Sequence, residues 1–120
     1  MDPEHYSERF PELANFLAGN FHQDWAFLNN SNDWRSVVHA YCEVATPFEK
    51  GRVIRELEEF MALRLYEKRL YEVLCSVFLS NYYAPGDGLT FEGWLKRLHD
   101  ELLQCYSGST KLNSERDLKT

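Results

Sequence analysis

The chain has 120 residues and a mass of 14.2 kDa; 44% of the residues are hydrophobic and 27% are charged, as in one ordinary globular domain. A chain of this size buries about two-thirds of its surface on folding, so its core requires neither a metal ion nor disulfides. The formal net charge of -6 argues against a nucleic-acid-binding protein, because Lys and Arg must neutralise phosphates in such proteins, and it favours a basic partner.

The first half of the chain predicts two helices separated by a connection. A first helix is expected to open at Phe10-Pro11, because proline is well tolerated at the first helical position, and to be stopped by Gly19-Asn20. Residues 20–31 contain aromatic side chains but no partner strand, so we expect an ordered non-helical connection there. Ser31 or Asn32 is expected to cap a second helix.

The middle of the chain predicts a third and a fourth helix. Thr46 ends the second helix and caps the third. The predicted inward residues of the third helix are Val53, Ile54, Leu57, Phe60 and Met61, and its predicted outward residues are Arg52, Glu56 and Glu59. A break is expected between Leu63 and Leu65, with one long kinked helix as the alternative, and Asn81 is expected to end the fourth helix in the left-handed conformation.

A fifth helix completes an all-α prediction. Thr90 is expected to cap it. Trp94 lies inside it at the position where a hydrophobic staple places an apolar side chain against the residue before the cap. Ser107 begins a polar segment that has too few apolar residues to pack. The sequence therefore predicts one compact domain of about five helices over residues 1–106 and a flexible tail over residues 107–120.

The cysteines and the N-terminus favour a cytoplasmic protein without a metal or cofactor. Cys42, Cys75 and Cys105 fit neither a disulfide framework nor the paired spacing of a zinc site, so they are predicted to be reduced. His39 and Cys42 lie on one helix face, but two ligands do not make a metal site. The start of the chain lacks a secretory signal, and no apolar run is long enough to span a membrane.

Residues 21–25 (Phe-His-Gln-Asp-Trp) are the densest cluster of unusual residue types. His22 could act as a general base or metal ligand with Asp24 as its orienting group, but no nucleophile or further ligand stands beside them. A structural role suits the cluster better. Phe21 and Trp25 would anchor the connection in the core, while His22, Gln23 and Asp24 would hydrogen-bond to helix ends.

Several segments of the chain resemble one protein family. The first set is Phe10-Pro11-Glu12-Leu13, followed by Phe-His-Gln-Asp-Trp at residues 21–25. The second set begins with Leu-Ser-Asn-Tyr-Tyr-Ala-Pro at residues 79–85. It continues with Asp-Gly-Leu-Thr at residues 87–90 and Trp-Leu at residues 94–95. Over about residues 8 to 103, the chain resembles the contact-dependent growth inhibition immunity proteins of bacteria. The middle helices are too generic to contribute to this resemblance.

The resemblance implies a small cytoplasmic antitoxin and not an enzyme. Its partner would be the cognate C-terminal toxin domain of a cell-surface effector, often a nuclease and frequently one acting on tRNA, with a third protein in the complex as an open alternative. The motif residues implied to be structural are Phe21, His22, Gln23, Asp24, Trp25, Tyr82, Tyr83 and Trp94.

The charge distribution predicts where the toxin would bind. Residues 1–49 hold eight acidic and two basic residues, whereas acidic and basic residues balance in the rest of the chain. The expected toxin-contacting residues are Glu8, Glu12, Asp33, Glu43 and Glu49, with Asp24 added only if it is exposed. Their carboxylates would replace phosphates in the substrate groove of a nuclease.

Two other functions stay open at this point. The acidic surface could belong to a helical adaptor or regulatory module with a different basic partner. A weaker alternative is a metal-dependent hydrolase centred on His22, which absence of metal in the purified protein would exclude.

Overall fold

The computed structural model describes the backbone of residues 3–21 and 33–119 and the side chains of residues 5–21 and 33–106. Its α-helices are α1 (Pro3–Arg9), α2 (Pro11–Asn20), α3 (Trp34–Val44), α4 (Pro47–Met61), α5 (Glu67–Glu72) and α6 (Phe91–Lys119). A π-helical turn (Val73–Val77) continues α5, and a 3-10 turn (Ala84–Asp87) precedes α6. Within the described ranges there is no strand, which confirms the all-α prediction. No helix in those ranges is long and apolar enough to cross a membrane.

The N-terminal part contains one more helix than expected. Helix α1 precedes the predicted start at Pro11, which is indeed the first residue of α2. The predicted connection at 20–31 falls almost entirely outside the described residues; of its first two positions, Asn20 is the last residue of α2 and Phe21 is buried.

Glu56 corrects the prediction of an outward-facing carboxylate. Its side chain is buried, with 8% exposed, and its Oε1 accepts hydrogen bonds from the backbone N–H groups of Glu12 at 2.9 Å and Leu13 at 3.0 Å. Phe10, which precedes α2, has no side chain able to cap the helix. A residue of α4 therefore caps the first turn of α2, and this explains why a charged side chain is buried there.

Local caps determine where α3 and α4 begin. Asp33 caps α3, since its carboxylate accepts the N–H of the second helical residue at 3.0 Å. The cap predicted at Ser31 or Asn32 is therefore wrong; Asp33 provides the same kind of acceptor immediately before the first helical residue. The predicted cap at Thr46 is confirmed, because its hydroxyl accepts the N–H of Glu49 at 3.1 Å.

Two residues other than glycine have positive φ in the segments between α4 and α6. Arg64, at φ 52°, lies in the segment that separates α4 from α5 and confirms the predicted break over a single kinked helix. Leu79, at φ 56°, follows the π-helical turn. The sequence predicted the left-handed residue at Asn81. This prediction is wrong, because the chain turns two residues earlier, at Leu79. The next residue, Ser80, donates its N–H to the Leu74 carbonyl at 2.8 Å.

Helix α6 lies against α4 and α3, and α4 also packs against α2. Two aromatic clusters fill the core between these helices. In one cluster, Phe60 contacts the rings of Tyr6, Phe10 and Phe78. In the other, Trp94 contacts the rings of Phe21, Trp34 and Tyr82. The edge-to-face geometry of most of these contacts is the arrangement that aromatic pairs prefer.

Helix α6 begins as expected at its cap. The Thr90 hydroxyl accepts the Gly93 N–H at 2.9 Å, and Trp94 is fully buried one turn into the helix. The helical backbone runs to Lys119, past the position at which a flexible tail was expected to start. The division into a domain over residues 1–106 and a tail over residues 107–120 stays a prediction.

The prediction that all three cysteines are reduced is wrong for two of them. Cys42 of α3 and Cys105 of α6 form a disulfide across a sequence separation of 63 residues, whereas Cys75 is free and exposed. Sequence spacing could not reveal the pair, because only the packing of α3 against α6 brings the two residues together.

Candidate functional site

The acidic residues singled out by the sequence lie on several elements of the N-terminal half. Glu12, in the first turn of α2, forms an ion pair with Arg52 of α4 at 3.8 Å. Glu8 on α1 and Glu43 on α3 are exposed, and within the described ranges neither carboxylate has an ion-pair partner. All three carboxylates are thus placed on or near the surface.

Two of the acidic residues also have local structural roles. Asp33 caps α3 while remaining exposed. Glu49 forms a reciprocal pair with Thr46, whose hydroxyl accepts the Glu49 N–H and donates to Glu49 Oε1, both at 3.1 Å. These hydrogen bonds hold Glu49 at the start of α4 with its carboxylate exposed.

Tyr41 shows that carboxylates from two helices converge. Burial and, to a smaller extent, the negative charges of Glu49 and Glu12 together raise the pKa of the Tyr41 phenol to about 12. Glu43, in the last turn of α3, is separated from Glu49 only by the turn that joins α3 to α4. We call Glu12 and Glu49, which both act on Tyr41, together with Glu43 beside that turn, the acidic face.

Not every predicted residue belongs to the acidic face. Asp33 lies at the opposite end of α3 from Glu43, about 15 Å away along the helix axis at 1.5 Å per residue. Glu8 is on α1, before the chain enters α2. The structure therefore brings Glu12 and Glu49 close to one tyrosine, places Glu43 at the turn beside Glu49, and puts Asp33 at the far end of α3.

A groove between α3 and α6 could not be predicted from the sequence. It has a volume of about 440 Å³ and is lined by His39, Cys42, Glu43, Glu101, Gln104 and Cys105. Glu101 accepts from Arg35 Nε at 3.3 Å and lies 3.0 Å from His39 Nε2. The signal was present in part, because His39 and Cys42 were expected on one helix face, but their partners on α6 were not recognisable from spacing.

The motif residues that the structure describes are mostly buried. Phe21, Tyr82 and Trp94 meet in one aromatic cluster, and the Asn81 N–H donates to the Phe21 carbonyl at 2.6 Å. The Tyr82 hydroxyl donates to Asp87 at 2.6 Å. Tyr83 is exposed and packs at the edge of Phe91 and Tyr71.

The rest of the motif, His22, Gln23, Asp24 and Trp25, lies outside the described residues, as does the site of the hydrolase alternative. Across residues 5–21 and 33–106, no group of three His, Cys, Asp or Glu residues could hold a metal ion.

The fold and surface define a small all-helical domain with carboxylates near the turn between α3 and α4. The comparison with known families is more specific. The sequence model of the CdiI immunity protein family matches residues 9–102, and the chain belongs to this family. It is thus an immunity protein of contact-dependent inhibition.

A solved structure agrees with that assignment. The chain is similar to a chain of the crystal structure of the CdiA-CT/CdiI complex from Y. kristensenii 33638, with 26% sequence identity and a TM-score of 0.71. The alignment covers 78% of this chain and 98% of that chain. None of the curated proteins compared with the chain matches it.

Proposed function

We propose that this chain neutralises the C-terminal toxin domain of a contact-dependent growth inhibition effector by covering the toxin's substrate groove. The proposed toxin is a nuclease, with tRNA as its substrate class, and the proposed place of action is the cytoplasm. Membership of the CdiI family supports binding to a toxin of this system. The Y. kristensenii structure, which is a CdiA-CT/CdiI complex, supports pairing with the C-terminal part of an effector.

The observation that carries the nuclease proposal is the acidic face. Glu12, Glu43 and Glu49 present carboxylates on or near the surface of a domain whose formal net charge is -6. A nuclease groove presents Lys and Arg side chains to phosphates, so it offers the complementary charge. Complementary charge also accelerates the encounter between partners, which matters when a toxin must be intercepted before it acts.

Inhibition of this kind requires binding and no reaction by the immunity protein. We therefore propose that the chain is not an enzyme and that His22 and its neighbours serve the fold. Phe21, the first residue of that motif, packs against Trp94 and Tyr82 in the core, which supports a structural role for the motif. Specificity for one toxin would then depend on exposed residues that differ between relatives.

A charge reversal tests the proposal. Glu43→Lys removes an exposed carboxylate that has no ion pair in the described part of the chain, so its folded structure should be unchanged. At low salt we expect the association rate with the toxin domain encoded beside this chain to fall roughly fivefold, and the rate to depend less on salt. Glu59→Lys, near the other end of α4, makes the same change in net charge at an exposed carboxylate that also lacks an ion pair among the described residues, and it should have a smaller effect.

The same experiment separates the proposal from its alternatives. Binding of the toxin domain together with rescue of cells that produce it would support the immunity function. Failure of both would favour a helical adaptor with a different basic partner. Equal effects of the two charge reversals would show that net charge, and not the acidic face, attracts the toxin.

A further inference from the structure

The turn between α3 and α4 exposes two large apolar side chains. Residues 44–48, which we call the α3–α4 corner, have the sequence Val-Ala-Thr-Pro-Phe. Val44 is 83% exposed and Phe48 is 72% exposed, the two highest values among the large hydrophobic residues that the structure describes. We propose that the α3–α4 corner is the apolar centre of the toxin-docking surface and that it enters an apolar pocket rimmed by Lys and Arg on the toxin. This inference rests on the proposed function.

The α3–α4 corner is held rigidly from within. The Ala45 N–H donates to the Tyr41 carbonyl at 2.9 Å, and the Lys50 N–H donates to the Thr46 carbonyl at 3.0 Å. The buried Lys50 ammonium donates to the Cys42 carbonyl at 3.4 Å, which ties the end of α3 to the first turn of α4. Because these groups are already ordered, little conformational entropy is lost when a partner binds the corner.

In the oxidised protein, the disulfide adds a second anchor at the same place, beside the hydrogen bonds that hold the corner in either redox state. Cys42 is two residues before Val44, and its bond to Cys105 fixes the last turn of α3 on α6. An exposed apolar pair on a flexible loop would gain less from burial, because ordering the loop would offset the gain. The corner instead presents Val44 and Phe48 in a preset position.

The exposed side chains of Tyr71 and Tyr83 do not offer a partner an open apolar surface of this kind. Tyr71 stacks on Phe91 at a ring-centroid distance of 5.2 Å, and Tyr83 lies 6.0 Å from Tyr71 and 6.1 Å from Phe91. These rings cover one another and fasten the 3-10 turn to α5 and α6. Phe48, by contrast, has no ring contact among the described residues, and the Arg52 guanidinium lies 5.7 Å from its ring centroid.

Charge around the α3–α4 corner selects the kind of partner. Glu43 immediately precedes the corner and Glu49 immediately follows it, and Arg52, which covers one face of Phe48, also pairs with Glu12. The apolar pair is therefore bordered by the acidic face. A second copy docking through the same corner would bring its own Glu43 and Glu49 against these carboxylates, which disfavours self-association. A basic protein surface with an apolar recess complements both the carboxylates and the apolar pair that they border.

The test compares two exposed aromatic residues at opposite ends of α4. Phe48→Ala removes the proposed anchor. Tyr66→Ala is the matched control, because Tyr66 is 68% exposed and follows the far end of this helix, which is about 22 Å long. The probe is the toxin domain encoded beside this chain, produced together with the wild-type chain and separated from it by denaturation and refolding. Dissociation rates are measured by surface plasmon resonance, and circular dichroism verifies that both variants are folded.

We expect Phe48→Ala to dissociate about 30-fold faster than wild type, as for a central interface anchor, and Tyr66→Ala to stay within about twofold. If wild type binds and both Phe48→Ala and Val44→Ser dissociate at the wild-type rate, the α3–α4 corner is not the docking centre, although the immunity function stands. If wild type neither binds nor protects cells, the proposed function itself fails. A Phe48-dependent dimer in sedimentation of the chain alone would overturn the proposal in favour of a second copy.

Discussion

Replacement of Glu56 by alanine should make the N-terminal part of the domain easier to unfold. The loss of stability should exceed that caused by any substitution of an exposed residue on α4. The side chain of Glu56 accepts the N–H groups of Glu12 and Leu13 through one carboxylate oxygen. After Glu56→Ala, water can reach the partly buried Glu12 N–H, but the buried Leu13 N–H loses its partner. Loss of a charged acceptor from one buried donor and of a helix cap together costs about 3 kcal/mol.

The measurement is urea unfolding followed by circular dichroism, with a thermal scan beside it. For a chain of this size, a loss of about 3 kcal/mol corresponds to a fall in the midpoint temperature of roughly 10 °C. Glu59→Ala is the matched control, because Glu59 is exposed on the same helix, and it should change the free energy of unfolding by less than about 0.5 kcal/mol. Glu56→Gln keeps an oxygen that accepts both N–H groups and should cost no more than about 1 kcal/mol.

Two results would refute the reasoning about Glu56. If Glu56→Ala and Glu59→Ala were equally mild, the hydrogen bonds to α2 would contribute nothing that water cannot replace. If Glu56→Gln were as destabilising as Glu56→Ala, the negative charge and not the accepting oxygen would be the stabilising property.

Three further outcomes are expected. Reduction of the disulfide between Cys42 and Cys105, or its replacement by two serines, should lower the free energy of unfolding by about 4 kcal/mol for a loop of this length. The control Cys75→Ser should change the free energy of unfolding little. Alkylation of all three cysteines in the protein as purified would contradict the disulfide. Because the pKa of Tyr41 is raised to about 12, the unfolded chain releases this proton at lower pH than the folded protein, and stability should fall from about pH 10 upward. The variant Tyr41→Phe should lessen that fall in stability. It should also remove a late step from the absorbance titration of the tyrosine phenols. Burial is the largest cause that raises the pKa of Glu56, so the folded protein holds this proton to higher pH than the unfolded chain and loses stability as the pH rises above the ordinary pKa of a glutamate; urea unfolding of Glu56→Gln over the same rise in pH should show a smaller loss.

Features that depend on neighbouring residues were predictable from the sequence. Pro11, Thr46 and Thr90 each mark a helix start that the structure confirms, because a cap or a first-turn proline acts within three residues of its own position. The break after α4 was predictable for a similar reason, since the apolar stripe changes phase there. Local chemistry was therefore sufficient for the all-α class and for most boundaries.

Features that depend on tertiary packing were not predictable in this way. Glu56 lies three residues from Val53 and four from Phe60, on the buried side of α4, and only the uncapped start of α2 explains a carboxylate there. Cys42 and Cys105 were assigned no partner for the same reason. Among the acidic residues, the charge count singled out the N-terminal half of the chain, but only tertiary packing brings Glu12 of α2 and Glu49 of α4 near the same tyrosine.

The disulfide gives the molecule a covalent ring. The ring closes from Cys42 to Cys105 and contains α4, α5 and the first half of α6, whereas α1 and α2 lie outside it. These two helices are attached to the ring by side-chain contacts such as those of Phe10 with Phe60 and of Glu56 with the start of α2. In the oxidised protein, α1 and α2 are therefore the unit that can open and close without the rest, and hydrogen exchange should find their amides the first to lose protection.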